Sequence, residues 1–395
     1  MTLPLENIRV LDLTRVLAGP YATMILGDLG ADIIKIEMPE IGDDARHFGP
    51  YQNGESAYFM SLNRNKRSIT LNLKTGEGKE ILLNLVKQSD VIIENFRPGT
   101  MEKLGLGYDV IKETNPKIVY AAASGFGHSG PYSERAAYDG VVQAMGGLMS
   151  VTGPKDGKPT RVGTSIGDIT AGLFVTIGIL TALVNKNTTG KGQKVDVAML
   201  DSQVAILENA ISRYIVTEKI PRPEGNRHPS IVPFETFETS NGEIMIAVGN
   251  DSLWIKFCNA IDMEGLGKNE RYEKNNLRNE RYSELRPIIA EALENKTTEQ
   301  WQEIFDSCGI PNGPINTIDK VLQDPQILAR EMVVDIVHPI AGKLKIPGIP
   351  IKLSDTPGKI RKPSPILGQH TEEILKELLD YRDEKIIKLR EDKIL

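Results

Sequence analysis

The first half of the chain alternates short apolar runs with amphipathic stretches. The apolar runs have the length and the branched residues of buried strands, and they lie at 8–14, 31–37, 91–96 and 118–127. Helical periodicity follows the first run at 20–31 and precedes the third at 76–90. This order predicts an α/β fold in which helices cover a parallel sheet. Ligands of such sheets bind beyond the carboxyl ends of the strands, so the candidate binding loops are 14–20, 94–99 and 124–131.

The pattern changes near residue 200. A strand is predicted at 193–199 and a helix follows it; a Pro- and Gly-rich segment then leads to a hairpin pattern, FETFETSNGEIMIAVG, at 234–249. Charged helical stretches continue beyond the hairpin, so we expect a second, small α+β domain. The predicted division is a large domain over 1–200 that is completed by 330–395, a small domain over 225–315, and linkers over 201–224 and 316–329.

Composition excludes several classes of function. The chain has 395 residues, and its formal net charge of −6 disfavours bulk nucleic-acid binding. The N-terminus lacks the pattern of a signal peptide, and the longest apolar run, LFVTIGILTALV, is too short to span a bilayer. We therefore expect a cytoplasmic protein without a membrane partner. Two cysteines outside any CxxC motif and five histidines without metal-ligand spacing predict reduced thiols and no metal site.

The stretch RVGTSIGDITAG, at 161–172, contains two candidate nucleophiles, Ser165 and Asp168. It contains the G-x-S-x-G pattern of serine hydrolases around Ser165, but that pattern requires a buried strand directly before the serine, and GPKDGKPTRV reads as a turn. Asp168 stands where a helix begins, so it is either an N-cap that binds first-turn amides or a carboxylate nucleophile. Spacing alone favours the cap. Asp139 also precedes a helical pattern and has the same two interpretations.

The segment NRNKRSITLNLK, at 63–74, concentrates positive charge. It is interpreted either as a solvated edge strand, the more common case, or as a site that recognises a phosphorylated ligand. The glycine-containing loops 14–20 and 124–131 resemble phosphate-cradling turns, but neither matches the dinucleotide or P-loop motif, which disfavours NAD or ATP binding. The residues alone thus indicate a cytosolic α/β enzyme that binds a phosphorylated small molecule.

Several motifs in a fixed order resemble those of the class III CoA-transferases, the group of formyl-CoA transferase and carnitine CoA-transferase. They are VLDLTRVLAGPYATMILGDLGADIIKIE, NRNKRSITLNLK, VIIENFRPG, ASGFGHSGPY, TSIGDITAG, GNRHPSIVPFETF and LGQHTEEIL, and they extend over nearly the whole chain. The succinate–hydroxymethylglutarate CoA-transferase branch looks most similar. The resemblance implies a Rossmann-like large domain and a ring-shaped chain that interlocks with a second copy in a homodimer.

The resemblance also implies site residues. The aspartate of the GD motif is the nucleophile of these transferases, so Asp168 would attack the thioester, Gly167 would leave room for it, and Asp139 would support the reacting carbonyl. Coenzyme A or acyl-CoA is then a substrate, and no cofactor is tightly bound. The CoA contacts carried over are Leu17, Ala18, Leu71, Asn72, Leu73, Lys74, Asn95, Phe96, Arg97, Lys103, Ala136, Ala137 and Tyr138.

The implied reaction moves CoA from an acyl-CoA to a free carboxylic acid through an aspartyl anhydride and an aspartyl-CoA thioester. Short dicarboxylates such as succinate or glutarate are the expected acids. The candidates for binding the acceptor carboxylate are Arg46, His47, Arg227 and His228. An α-methylacyl-CoA racemase is an alternative, but it has a histidine where this chain has Tyr138, and tyrosine is a poor base at neutral pH. A non-catalytic CoA-binding protein is the other alternative, against which the presence of Asp168 argues.

Overall fold

The computed structural model describes residues 2–395. Within them the strands are β1 Arg9–Asp12, β2 Asp32–Glu37, β3 Tyr51–Gln52, β4 Glu55–Ser56, β5 Lys66–Thr70, β6 Val91–Glu94, β7 Val119–Ser124, β8 Lys194–Ala198, β9 Phe234–Glu238, β10 Glu243–Ala247, β11 Asn312–Pro314, β12 Val333–His338 and β13 Gly342–Pro347.

The helices of the same residues are α1 Ala18–Asp28, α2 Ala57–Leu62, α3 Gly76–Val86, α4 Thr100–Lys103, α5 Tyr108–Thr114, α6 Asp139–Met145, α7 Leu148–Val151, α8 Ile166–Thr189, α9 Met199–Ile206, α10 Glu208–Thr217, α11 Asp251–Ala260, α12 Glu264–Gly267, α13 Asn275–Glu280, α14 Tyr282–Leu293, α15 Thr298–Cys308, α16 Ile318–Val321, α17 Pro325–Ala329, α18 Thr371–Leu379 and α19 Asp383–Glu391. A 3-10 turn spans Asp44–His47.

The chain forms two compact units. The large unit comprises the residues up to Met149 together with Arg161–Thr217 and Pro325–Leu395, and the small unit comprises Ser150–Thr160 and Glu218–Asp324. The segment predicted as a linker at 201–224 is helical as far as Thr217, because α9 and α10 occupy it.

The large unit is built on a six-stranded sheet in the order β5-β2-β1-β6-β7-β8. Every neighbouring pair is parallel, which confirms the mixed α/β fold predicted from the alternating pattern. The chain runs from β1 outward to β2 and β5, then returns to β6 on the other side of β1. This is the doubly wound arrangement, whose switch point lies between β1 and β6. A ligand site is therefore expected beyond the carboxyl ends of these two strands.

Both faces of this sheet are covered, which explains why its strands read as continuous apolar runs. On one face Leu11 and Ile34 pack with side chains of α3 and α18, whereas on the other Val10 and Ile33 pack with side chains of α1 and α8. Successive residues of one strand point to opposite faces, so each strand contributes to both layers of the core. The sheet is thus fixed from both sides, and its strand ends are held rigidly.

Helix α8 is the longest helix of the described residues. It has 24 residues and a mean hydropathy of 1.8 in its most apolar window. By length and composition alone it could cross a membrane, whereas the sequence predicted that its apolar run is too short to do so. This is weak evidence, since half of that window is buried within the protein, as in a core helix. Gly172 brings α8 close to α1, because a Cβ at this position would lie 2.7 Å from the Ala18 carbonyl oxygen.

The small unit contains a three-stranded antiparallel sheet in the order β11-β10-β9. The predicted hairpin is present, with Phe237 paired to Ile244 across β9 and β10. Helices pack around a core that includes the aromatic side chains of Trp254, Trp301 and Phe305. The unit is therefore of the predicted α+β type.

The basic segment 63–74 forms the edge strand β5, but the prediction that it is solvated is wrong. Arg64 pairs with Asp28 at 2.7 Å, Lys66 with Asp12 at 3.0 Å, and Arg67 is largely buried. The C-terminal segment covers this edge, since the Asn65 amide donates to the carbonyl of residue 362 and α18 packs on β5. The charges of Arg64, Lys66 and Arg67 therefore serve internal ion pairs, whereas Lys74, beyond the strand, is exposed.

Candidate active site

Loops after three neighbouring strands enclose a cavity of about 370 Å³ at the switch point of the sheet. The wall after β1 is Arg15–Ala18, and the wall after β6 is Asn95–Pro98. The rest of the lining comprises residues 123–125 at the end of β7, residues 135–138, Asp44, Met199 and Asp168. The cavity therefore brings together two acidic side chains, backbone from glycine-containing loops and three arginines, all from the large unit.

Asp168 is the third residue of α8 and carries no capping bond. The N-cap of α8 is Ser165, so the prediction of an N-cap role for Asp168 is wrong. Within residues 2–395, no hydrogen bond or ion pair occupies the Asp168 carboxylate. Burial, and after it the negative charge of Asp139, raise the pKa of Asp168 to about 7. A partly buried carboxylate without a partner, facing a cavity, has the accessibility that a nucleophile requires.

Asp139 begins α6 and is almost fully buried, with a different environment. Its Oδ1 accepts the backbone N–H of Gly167 at 2.8 Å, and its Oδ2 accepts the side-chain amide of Gln143 at 2.7 Å. Arg161 lies 3.7 Å from the same Oδ2. A Cβ on Gly167 would come within 3.0 Å of Asp139 Oδ1 and 2.8 Å of Val142 Cγ2. The glycine before Asp168 thus makes room for Asp139, rather than only for a substrate.

Ser165 has no feature of a nucleophile elbow. Helices α6 and α7, not a strand, lie between β7 and the serine. Its side chain makes no capping hydrogen bond to the first turn of α8. The G-x-S-x-G match is therefore incidental, as the sequence context indicated.

The loop after β1 is held in an unusual conformation by side chains from other segments. Val16 has a φ of 67°, a left-handed conformation that is rare for a β-branched residue. Its N–H donates to Asp43 Oδ1 at 3.0 Å, and Asp43 is paired with the buried Lys35 at 2.8 Å. Asn95 accepts the Arg15 N–H at 2.8 Å and donates to the Arg15 carbonyl at 2.7 Å. These contacts hold the backbone of residues 15–16 in this conformation and thereby position the following residues, Leu17 and Ala18.

A second cavity, of about 230 Å³, adjoins the first. It is lined by Leu71–Lys74 after β5 and by Lys35–Met38 at the end of β2 and just beyond it, and it shares Arg15 and Phe96 with the cavity of Asp168. Two adjacent cavities along the strand ends offer room for an elongated ligand.

Most of the CoA-binding positions expected from the sequence line one of these two cavities. Leu71, Asn72, Leu73 and Lys74 line the second cavity. The cavity of Asp168 is lined by Leu17, Ala18, Asn95, Arg97, Ala136, Ala137 and Tyr138, and Phe96 lines both. Lys103 lies at the end of α4, is exposed, and lines neither cavity. The amide of Asn95 is already bound to the Arg15 backbone, so its side chain holds the loop.

The candidates for binding an acceptor carboxylate are not equally available. Arg46 is bound to Glu37 through two hydrogen bonds of 2.8 Å and stacks on a phenylalanine ring, so its charge is already used. His47 contacts the Ile41 carbonyl at 3.0 Å. Arg227 and His228 belong to the small unit, where Arg227 binds Asn279.

Sequence reasoning missed four residues that shape the site. Asp43 and Lys35 position the first loop, and Arg15 lines both cavities. Arg135 lines the cavity of Asp168. Only Arg135 had a visible signal, because it directly precedes the predicted contacts at 136–138; the ion pair of Lys35 with Asp43 depends on tertiary folding.

Among residues 2–395, no three His, Cys, Asp or Glu side chains gather in a way that could hold a metal ion.

Comparisons with known proteins identify the family of the chain. The model of CoA-transferase family III matches residues 5–371. The succinyl-CoA:glutarate CoA-transferase of Homo sapiens is 42% identical over 384 residues, which are 97% of this chain and 88% of that protein. The succinate–glutarate CoA-transferase of Agrobacterium fabrum is 40% identical over 95% of this chain and 96% of its own length.

Among solved structures, a CAIB/BAIF family protein from Brucella suis superposes with a TM-score of 0.85 at 40% identity. The similarity covers 96% of this chain and 100% of that chain. Since the family model, the relatives and the fold agree over almost the whole length, the chain belongs to CoA-transferase family III and is an enzyme of the transferase type, with a CoA thioester as substrate.

Proposed function

We propose that the protein transfers CoA from succinyl-CoA, or a similar acyl-CoA, to a short dicarboxylic acid, with Asp168 as the nucleophile. The observation that carries the proposal is the Asp168 carboxylate, which faces a cavity at the switch point of the sheet and has no hydrogen-bond or ion-pair partner among residues 2–395. Two relatives of 40–42% identity are named for transfer between succinyl-CoA or succinate and glutarate, which supports short dicarboxylates as the acids.

The proposed reaction proceeds by exchange of acyl groups. An oxygen of Asp168 attacks the thioester carbonyl, the C–S bond breaks, and a mixed anhydride and CoA thiolate form. The thiolate then attacks the aspartyl carbonyl, giving an aspartyl-CoA thioester and releasing the donor acid. The carboxylate of the acceptor attacks this thioester, and the same two steps in reverse give the new acyl-CoA and regenerate Asp168.

The surroundings of Asp168 fit this chemistry. Each tetrahedral intermediate develops an oxyanion, which hydrogen-bond donors held in place before reaction can stabilise. The loop with Leu17 and Ala18 lies in the same cavity and is fixed through Asp43 and Asn95. Asp139 holds the Gly167 amide beside Asp168 and thereby fixes the start of α8, so we assign it the supporting role.

The two cavities support the proposed course of CoA. The nucleotide would occupy the cavity with Leu71–Lys74, and the pantetheine arm would pass Phe96 toward Asp168. Lys74 and Arg97 would bind phosphates, and the exposed Lys103 would contact them from the end of α4. Ala136, Ala137 and Tyr138 would line the thioester end, as the resemblance implies.

The test is mass spectrometry after incubation with succinyl-CoA and a panel of mono- and dicarboxylic acids. New acyl-CoA with some of the acids, and a hydroxylamine-trapped adduct on Asp168, are expected. Asp168→Ala should form neither. Asp109→Ala is the matched control, since Asp109 also lies in the first turn of a helix but is exposed on α5.

Transfer that survives in Asp168→Ala would overturn the assignment. Exchange of an α-proton without transfer would indicate a racemase, and binding of CoA without either reaction a non-catalytic protein.

We also propose a homodimer, with the ring-shaped, interlocked chains that the resemblance implies. Helix α8 buries one face against the sheet, but its other face leaves Leu173, Ile177 and Val184 exposed by 42%, 57% and 68%. A row of exposed apolar side chains is typical of an interface. Light scattering should give twice the chain mass of 43.6 kDa, and Ile177→Glu should lower the measured mass.

We also propose a cytoplasmic location, which the two free cysteines support.

A further inference from the structure

Three arginines line the cavity of Asp168, and they differ in how far their charge is used. Arg15 pairs with Asp44 at 3.3 Å. Arg97 and Arg135 form no ion pair with an acid in the part of the chain that the structure describes. A dicarboxylic acid brings a second carboxylate into the cavity beside the one that reacts, and a buried or partly buried charge of this kind requires a cation.

Position distinguishes the two unpaired arginines. Both line the cavity of Asp168 and neither lines the second cavity, but Arg97 directly follows Phe96, which lines both. Arg135 lies beyond β7, the strand of the three around the cavity that is farthest from β5 and β2 in the sheet order. It is three residues from Tyr138 and four from Asp139, whose carboxylate binds the amide of Gly167 beside Asp168. Arg135 therefore belongs to the acyl end of the site.

The guanidinium of Arg135 is also held in place. It lies 4.8 Å from the ring centre of Tyr132 and 5.5 Å from that of Phe126, and these two rings meet edge to face. Stacking restricts the side chain while leaving the N–H groups in the plane of the guanidinium free to donate. A guanidinium held in this way matches a carboxylate, which accepts two parallel hydrogen bonds.

We propose that Arg135 binds the distal carboxylate of the dicarboxylic acid whose other carboxylate reacts at Asp168. This inference rests on the proposed function and adds the residue that selects dicarboxylates over monocarboxylates. It also replaces Arg46, whose charge is neutralised by Glu37. The same contact serves the donor and the acceptor, because succinyl-CoA carries its free carboxylate at the corresponding place.

The experiment compares two acceptors that differ only in the distal charge, glutarate and its monoamide, with succinyl-CoA as donor. The variants are Arg135→Gln, which removes the charge, and Arg135→Lys, which retains a point charge. Arg271→Gln is the matched control, since Arg271 also stacks on a tyrosine ring but lies in the small unit. The Kd of free CoA is measured by calorimetry, because CoA carries phosphates but no acyl carboxylate.

Arg135→Gln should raise the KM for glutarate roughly 10- to 100-fold, the range expected for charge-assisted hydrogen bonds. The preference for glutarate over its monoamide should fall by the same factor, the Kd of CoA should stay within about two-fold, and Arg135→Lys should restore part of the loss. A weaker Kd for CoA with unchanged KM for glutarate would overturn the proposal and assign Arg135 to the phosphates. The proposal would also be overturned if neither KM nor the Kd of CoA changed, because Arg135 would then bind no substrate group. Failure of the unmodified protein to transfer CoA to any acid would instead refute the proposed function.

Discussion

The starts of helices α6 and α8 contain the same residue type in opposite states. Asp139, in the first turn of α6, is 8% exposed and accepts hydrogen bonds from Gly167 and Gln143. Asp168, in the first turn of α8, faces a cavity, and no hydrogen bond or ion pair of the described chain engages its carboxylate. Proximity to a helix start thus does not decide the role of an aspartate; its partners do.

The difference arises because α8 obtains its capping acceptor from another segment. Amides at a helix start need acceptors, and a side chain three residues or fewer away commonly supplies one. Here the amide of Gly167 is bound by Asp139, so Asp168 is not needed as a cap. The two carboxylates then lie close enough for one to raise the pKa of the other. The arrangement leaves Asp168 free but makes its ionised form costly.

Replacing each aspartate by asparagine should have the largest effect. Asp168→Asn keeps the shape but removes the nucleophilic oxygen pair, so turnover should fall by at least about 1,000-fold. Turnover should fall less in Asp139→Asn, because the role of Asp139 is to hold the Gly167 amide. Steady-state rates with succinyl-CoA and glutarate measure both. Equal losses in the two variants would mean that the carboxylates act as one unit.

The pH dependence of the reaction is the next largest effect. Asp168 must be ionised to attack, and its pKa is raised to about 7, so kcat/KM should fall about ten-fold for each pH unit below that value. Above pH 7 the rate should level off. Rates from pH 5 to 9 test this, and a profile that stays flat down to pH 5 would show that Asp168 remains ionised there.

Asp139→Asn tests how the charge of Asp139 affects the pKa of Asp168. Burial is the larger cause of the raised pKa of Asp168, and the charge of Asp139 is the second. Removing that charge should therefore move the acid limb of the profile to lower pH, although part of the shift from burial remains. Some overall loss of rate is expected, because an asparagine amide would face the Gln143 amide that now donates to Asp139. An acid limb that moves to higher pH would contradict the assigned coupling.

Stability should respond in the opposite direction to activity. The pKa of Asp168 is higher in the folded than in the unfolded protein, so the folded state binds more protons between about pH 4 and 7, and stability falls as the pH rises through this window. Asp168→Asn removes this cost, and it should stabilise the fold by about 1–3 kcal/mol at pH 8 after allowance for solvent screening. The gain should be smaller at pH 5. Thermal unfolding at both values measures it.

The fold was largely predictable, since the strands that predict the sheet are buried on both faces and their apolar runs are unambiguous. The ends of the strands also located the loops with Leu17 and Phe96. The state of Asp168 was not predictable, because the acceptor for the start of α8 comes from Asp139, which is 29 residues away in sequence. The basic segment 63–74 was misread for the same reason: its partners Asp12, Asp28 and Asp32 come from other elements.

The smallest effect expected concerns Ser165, which stands between the two regions compared. It is the N-cap residue of α8, yet its side chain makes no capping bond, because the helix start is already bound by Asp139. Ser165→Ala should therefore change turnover by less than about two-fold and cost less than the ~1 kcal/mol usual for losing an N-cap side chain. A large loss of turnover with an intact fold would show that Ser165 takes part in the reaction. A loss of stability alone would show that Asp139 does not fully replace the cap, and so would weaken the explanation for why Asp168 is free.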